Sequence, residues 1–252
     1  MPAHLDAPAR AARSPWSAVR AVLFDLDGTL LDTAADITRA LNRALAELGL
    51  PSLARSEVSE LIGRGVAALI ERVLERFGAA GKAADGTRLL ARFHHHYERL
   101  HRHGEIETRV YPGVARGLAE LHALGRKLAV VTNKPRSMAV ELLARSGLDQ
   151  WIASVVGGDS GLPRKPHPRP LLHACELLGV PPADALMVGD SHIDVLAARA
   201  AGLAAVVCVP YGYNEGVDPR TLACDLFIES IGELPAVLGA RADRLLSARP
   251  AH

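Results

Sequence analysis

The sequence predicts an α/β protein: a doubly wound, mostly parallel sheet carrying an inserted domain of α-helices, a cap. Three observations predict it. Short apolar runs alternate with helix-periodic stretches from residue 112 onward. The first apolar run, residues 19–24, is apolar at successive positions and so belongs inside a sheet covered on both faces. Between these, residues 33–104 carry apolar residues at helical spacing and no strand pattern.

Taken in order, residues 19–24 read as a buried strand that runs into the turn Asp25-Leu26-Asp27-Gly28-Thr29. The helical block is broken at Gly49-Leu50-Pro51, at Gly63-Arg64-Gly65 and over residues 78–86, which gives four helices. A helix over 114–124 is stopped by Gly125; a strand over 127–132 and a helix over 137–146, stopped by Gly147, follow. Residues 151–156 offer a short strand, 169–178 a helix, 185–188 a strand, 193–201 a helix and 204–209 a strand. A last strand over 226–229 precedes a C-terminal helix. Strands alternating with helices imply parallel pairing through right-handed crossovers, a Rossmann-like arrangement. The simplest assembly is a core of residues 19–34 and 106–252 with a cap of residues 35–105 inserted after the first strand. Residues 1–18, rich in Ala, Arg and Pro, read as a disordered tail.

Composition narrows the function. The chain has 252 residues, 49% of them hydrophobic and 23% charged, enough to bury a full core without staples. With 29 Lys+Arg against 28 Asp+Glu, the net charge of +1 gives no footprint for nucleic acid, and 4% aromatics give no base-stacking platform. The apolar run at 203–209 is far shorter than the roughly 20 residues of a membrane span. Cys175, Cys208 and Cys224 form no C-x-x-C pair, which fits a reduced cytoplasmic protein. The oligomeric state stays open between monomer and homodimer.

In open parallel sheets, ligands bind beyond the carboxyl ends of the strands. There the sequence places Asp25 and Asp27 after the first strand, Thr132-Asn133-Lys134 after 127–131, and Gly189-Asp190-Ser191 after 185–188, with Asp194 one turn later. Arg164-Lys165-Pro166 lies in a Pro-rich loop between them. Singly, an Asp-x-Asp is a turn device, a Thr-Asn a helix cap, and a lysine a solvated charge. Together at one sheet edge they point to chemistry. Two carboxylates about 4 Å apart repel by roughly 4 kcal/mol at an effective dielectric of 20, and Asp190 adds to this. Such a cluster calls for a cation, and oxygen-only ligands suit Mg²⁺. A Mg²⁺ site beside Lys and Thr suits a phosphate. Asp25 is then placed to attack phosphorus, and Asp27, two residues on, to pass protons to and from the leaving alcohol and water.

These segments resemble a known family. VLFDLDGTLLD at 22–32, VTN at 131–133, RKP at 164–166 and VGDSHID at 188–194 match, in order, the four motifs of the haloacid dehalogenase superfamily. The resemblance implies that Asp25 forms an aspartyl phosphate and that Asp27 is the general acid/base, lending its backbone carbonyl to Mg²⁺. It implies that Thr132 and the amide of Asn133 hold phosphoryl oxygens and that Lys165 neutralises Asp25 and the phosphate. Asp190 would be a direct metal ligand with Asp194 behind it, so that Asp25, Asp27 and Asp190 form the metal set. The cap would close over the site and help choose the substrate. The dehalogenases of the superfamily lack the second aspartate, so the presence of Asp27 and Asp190 favours a phosphatase. DTAADI at 32–37, GGD at 157–159, KPHPRPLLHAC at 165–175, AARAAG at 197–202 and PYGYNE at 210–215 resemble the bacterial phosphoglycolate phosphatases.

The expected function is therefore a Mg²⁺-dependent phosphomonoester hydrolase for a small phosphorylated metabolite, 2-phosphoglycolate first. A phosphatase for a sugar phosphate, nucleotide or pyrophosphate, or a phosphomutase, is the alternative within the same chemistry. A signalling receiver domain also carries strand-end aspartates, but at about half this length and without a helical insertion. In the cap, Arg64 between two glycines is a candidate clamp for the substrate carboxylate, weighed evenly against a solvated arginine. His94, His95, His96, His101 and His103 read as a solvated helix end, since neighbouring helical residues point in different directions. His192 is assigned no role.

Overall fold

The computed structural model describes residues 15–239. A short helix α1 (Pro15–Ala18) leads into β1 (Ala21–Phe24), followed by β2 (Leu31–Asp32). The cap is built from α2 (Ala34–Glu47), α3 (Arg55–Ser59), α4 (Val66–Arg76), α5 (Gly78–Ala83) and α6 (Gly86–His103). The chain returns through β3 (Arg109–Val110) to α7 (Val114–Ala123), β4 (Lys127–Val131), α8 (Arg136–Arg145) and β5 (Ser154–Val156). It ends with α9 (Arg169–Leu178), β6 (Ala185–Gly189), α10 (His192–Ala200), β7 (Ala205–Cys208), β8 (Leu226–Phe227) and α11 (Leu234–Leu238).

Six strands form one sheet in the order β5-β4-β1-β6-β7-β8, and every pair in it is parallel. Strand side chains alternate faces, so each central strand feeds two cores. Val22 and Phe24 of β1, Leu128 and Val130 of β4, and Leu186 and Val188 of β6 pack with α7, α8 and α11 on one face. Ala21, Leu23, Ala129, Val131, Ala185 and Met187 pack with α9 and α10 on the other. This double burial is why the strands read as unbroken apolar runs.

The cap has its own core. Ile37, Leu41 and Leu45 of α2 recur every four residues and meet Leu69, Ile70 and Val73 of α4 and Leu89, Phe93, Tyr97 and Leu100 of α6. Each such side chain contributes roughly 1.5–3 kcal/mol by leaving water. Two short strands, β2 and β3, pair antiparallel where the chain leaves and re-enters the core. Asp36 ties this crossing: its carboxylate accepts hydrogen bonds from the backbone N–H of Glu107 (2.7 Å) and Thr108 (2.9 Å) and from the Thr108 hydroxyl (2.6 Å).

Three details differ from the sequence expectations. The predicted tail of residues 1–18 ends in helix α1, whose Trp16 is buried in the core, while residues 1–14 lie outside the described residues. The cap has five helices, because the predicted break over 78–86 holds the short α5. The strand pair β2/β3 was not predicted; two residues are too few to show a period of two. Among the described residues, no helix is long and apolar enough to cross a membrane.

Candidate active site

Register brings the catalytic candidates to one edge. Phe24 is level with Val130 of β4 and Val188 of β6, so the residues that follow the three strands emerge side by side. Asp25 continues the pairing through its N–H, which donates to Val188 O at 3.0 Å. Asp25, Asp190 and Asp194 each place a carboxylate oxygen within 4.8 Å of the others, and all three residues are buried. Lys165 enters from the loop before α9; its Nζ lies 2.9 Å from Asp25 Oδ1 and 2.7 Å from Asp194 Oδ1.

Each carboxylate is held differently. Asp25 Oδ1 also accepts the N–H of Leu26 at 2.7 Å, and Oδ2 has no hydrogen bond among the described residues. Asp190 Oδ1 accepts from the Thr29 hydroxyl at 2.8 Å and Oδ2 from the N–H of Tyr213 at 2.7 Å. The remaining oxygen of Asp194 accepts from the Ser191 hydroxyl at 2.8 Å and from its N–H at 3.3 Å. Gly28 makes this packing possible. A Cβ there would stand 2.4 Å from Asp190 Oδ2, and its φ of +86° disfavours any side chain.

Burial pushes Asp25 up to about 8; Lys165 opposes the rise, and Asp194 and Asp190 add to it. Burial and then Asp194 raise Asp190 to about 6 against the bonds from Tyr213 and Thr29. Burial alone would lower Lys165, but Asp194 and Asp25 outweigh it and hold the ammonium above the ordinary lysine range. Fully ionised, three buried carboxylates around one ammonium carry an excess of two negative charges, a state that needs a cation to stabilise it. An all-oxygen donor set with that excess fits a divalent cation such as Mg²⁺.

Asp27 stands apart from the three-carboxylate cluster. Its Oδ1 accepts from the Thr33 hydroxyl at 2.7 Å, and Lys134 Nζ contacts Oδ1 and Oδ2 at 2.9 and 3.1 Å. Its carboxylate is thus engaged with Lys134; toward an ion, the resemblance leaves it the backbone carbonyl. Thr132 is buried and its hydroxyl oxygen accepts the N–H of Lys134 at 3.2 Å. The Asn133 side chain is a clasp. Its amide donates to Gly63 O in the cap and to Lys165 O, both at 3.0 Å, and its carbonyl accepts the Lys165 N–H at 2.9 Å.

Cap and core enclose a cavity of about 40 Å³ over this edge. Asp25, Asp27, Thr132, Asn133 and Lys134 line its floor; Ile37, Ile62, Val66, Leu69, Phe93 and Tyr97 line the cap wall. Arg64 is not among the lining residues. Its guanidinium turns to the core loop after β7 and meets Glu215 twice, Nε to Oε1 at 2.7 Å and Nη2 to Oε2 at 3.0 Å. Arg72 Nη1 reaches the same Oε1 at 2.8 Å. The expected carboxylate partner of Arg64 is therefore a side chain of the protein itself. The histidine cluster also needs correction. His96 and His101 are buried rather than solvated, His96 Nε2 lying 2.7 Å from Glu47 Oε1 and His101 packing on Tyr97. His192 lies 3.4 Å from Arg64 Nη2 and 3.6 Å from Glu215 Oε2.

Sequence reasoning left several of these groups without a role. Lys134 directly follows Thr132-Asn133, yet its grip on Asp27 is visible only in the fold. Tyr213 and Glu215 lie within the PYGYNE segment; the Tyr213 hydroxyl accepts the N–H groups of Thr33 (2.8 Å) and Ala34 (3.0 Å) and donates to Asp32 Oδ1 (3.0 Å). One loop thus touches Asp190, the crossing strand and, through Glu215, the cap.

Comparison with known proteins agrees with this geometry. A curated relative from Cupriavidus necator, named phosphoglycolate phosphatase, is 50% identical over 218 residues, covering 86% of this chain and 92% of that protein. One of the same name from Nitrosospira multiformis is 46% identical over 216 residues, covering 85% and 93%. Among solved structures, a predicted phosphoglycolate phosphatase from Haemophilus somnus superposes with a TM-score of 0.82 at 30% identity, covering 88% of this chain and 99% of that one. CbbY from Rhodobacter sphaeroides, solved with phosphate, gives a TM-score of 0.72 at 28% identity, covering 86% and 96%. The family model for haloacid dehalogenase-like hydrolases matches residues 22–208, and with the sheet edge, the carboxylate cluster and the inserted cap all in place, the chain belongs to that family.

Proposed function

We propose that the protein is a Mg²⁺-dependent phosphomonoesterase that works through an aspartyl phosphate on Asp25 and converts 2-phosphoglycolate to glycolate and phosphate. One observation carries the chemistry. Asp25 has one oxygen fixed by Leu26 N–H and Lys165, while its other oxygen makes no bond to the described residues and the residue lines the cavity. A carboxylate oriented in this way is a positioned nucleophile.

In the first step Asp25 Oδ2 attacks phosphorus, a P–O bond to Asp25 forms, and the bond to the alcohol oxygen breaks. Asp27, which faces the same cavity, delivers a proton to that oxygen. In the second step water attacks phosphorus, Asp27 takes the water proton, and the bond to Asp25 breaks to release phosphate. Lys165 offsets the charge of Asp25 in both steps, and the Thr132 hydroxyl and the backbone amide N–H of Asn133 are assigned to the phosphoryl oxygens. Asp25, Asp190 and the backbone carbonyl of Asp27 would hold Mg²⁺, with Asp194 fixing Lys165 beside it. When bound, the ion supplies charge neutralisation at the phosphoryl oxygens.

The substrate reading rests on size and on relatives. The small cavity argues against a large ester, and relatives at 46% and 50% identity bear the name phosphoglycolate phosphatase. A cytoplasmic setting accords with three cysteines that are all free thiols. The test is a panel of phosphomonoesters ranked by kcat/KM with the purified protein and Mg²⁺. Phosphoglycolate is expected first; a sugar phosphate, nucleotide or pyrophosphate ahead of it would replace this substrate.

A further inference from the structure

We propose that Tyr97 of the cap and Lys134 of the core together form the subsite for the substrate's second acidic group, a small carboxylate. This assignment rests on the phosphoglycolate reading and deepens it.

Tyr97 is 2% exposed, and its hydroxyl is buried beside Lys134, which can only donate to it, so that its own hydrogen has no acceptor among the described residues. A buried hydroxyl left unpaired costs free energy, so a native structure that keeps one calls for an explanation. The residue lines the same cavity as Asp25 and Asp27. The other cap side chains in that lining are the apolar Ile37, Ile62, Val66, Leu69 and Phe93, which makes Tyr97 the one hydrogen-bonding cap side chain among the described lining residues. Burial pushes the phenol up to about 12, so it remains an O–H donor at neutral pH.

Lys134 supplies the charge. It is buried in the same lining, and its Nζ lies 5.3 Å from the centre of the Tyr97 ring. Burial works against its charge, but Asp27 and Tyr97 outweigh burial and keep it protonated. Two of its ammonium hydrogens go to the Asp27 carboxylate and the third faces Tyr97, so that it brings positive charge to the subsite. An ammonium and a phenol O–H offer donors, and the cap side chains around them offer no acceptor. That combination selects an acceptor-rich anion over a polyol, whose hydroxyls would also need acceptors. Arg64, the other basic candidate, is occupied by Glu215 outside the cavity.

The experiment compares wild type with Tyr97→Phe on two substrates, 2-phosphoglycolate and ethyl phosphate, the two-carbon ester without the carboxylate. The ratio of their kcat/KM values reports the subsite. Tyr97→Phe is expected to cut that ratio roughly tenfold, mainly through KM for phosphoglycolate, the size expected for a hydrogen bond to a charged group. Its melting temperature is expected to change little, because the variant removes a hydroxyl whose hydrogen has no acceptor; a purely structural tyrosine would not move the ratio. Lys134→Met should slow both substrates, since it also releases Asp27, and should lower the ratio as well. If wild type prefers phosphoglycolate and Tyr97→Phe keeps the full preference, the subsite is wrong and the substrate reading stands. If wild type shows no preference for the carboxylate ester, both fall.

Discussion

On the core wall of the site, Asp25, Asp190, Asp194 and Lys165 hold one another and are held in turn by Thr29, Ser191 and the N–H groups of Leu26 and Tyr213. The cap wall is apolar apart from Tyr97; near it Asn133 ties Gly63 to the core and Arg64 and Arg72 reach Glu215, while Asp36, Arg55 and His101 make further polar ties away from the cavity. The difference separates two tasks. In the proposed reaction the core holds the groups that act on the phosphoryl group, within a buried network. The cap would contribute shape and one donor, and with them the choice of substrate.

The comparison makes the core the more fragile wall. Gly28→Ala puts a methyl 2.4 Å from Asp190 Oδ2, so Asp190 must move. Displacing a catalytic group by about 1 Å costs on the order of 10²-fold, and kcat should fall by about that much on every ester. A loss confined to phosphoglycolate would place Gly28 in substrate choice instead. A smaller effect is expected at the cap tie. Arg64 is about half exposed, with 51% of its side chain accessible, and exposed ion pairs contribute about 0.2–1 kcal/mol. Arg64→Ala should therefore weaken kcat/KM by no more than about fivefold, equally for esters with and without a carboxylate. A loss specific to phosphoglycolate would put the guanidinium back on the substrate.

The smallest effect belongs to the far side of the cap. The hydrogen bond from Arg92 outweighs the opposing desolvation and, with the hydrogen bond from His96 and the attraction of both, lowers Glu47 to about 2. Its folded pKa lies below its usual 4.5, so its contribution to stability is present above pH 4.5 and is lost as pH falls toward 2. Urea midpoints of wild type and Glu47→Gln should differ slightly at pH 7 and converge over that interval. A gap constant with pH would show that the pair acts through packing alone.

Legibility in the sequence follows the same line between walls. The core strands were readable because they are buried on both faces, and the strand-end polar residues because parallel sheets place ligands there. The helix around Trp16 was hidden in an Ala-, Arg- and Pro-rich stretch, and β2 and β3 were too short for a pattern. Tyr97 sits in the apolar stripe of α6 and reads as a core residue; only its position across from Lys134, far away in sequence, gives its hydroxyl a meaning. Arg64 was conspicuous between glycines, but Glu215, which decides where it points, lies 151 residues away. In the sequence His96 and His101 look like part of one solvated cluster, because it does not show which helical face meets Glu47 and Tyr97.

The central claim is that Asp25 captures the phosphoryl group. Rapid acid quenching of the Asp27→Ala variant during turnover, followed by peptide mass spectrometry, tests it most directly, since the loss of the proton carrier slows release from Asp25. The account predicts one added phosphoryl group on the peptide containing Asp25, absent when Asp25→Asn is combined with it. Steady hydrolysis by Asp25→Asn, or a phosphoryl group found on another residue, would contradict it.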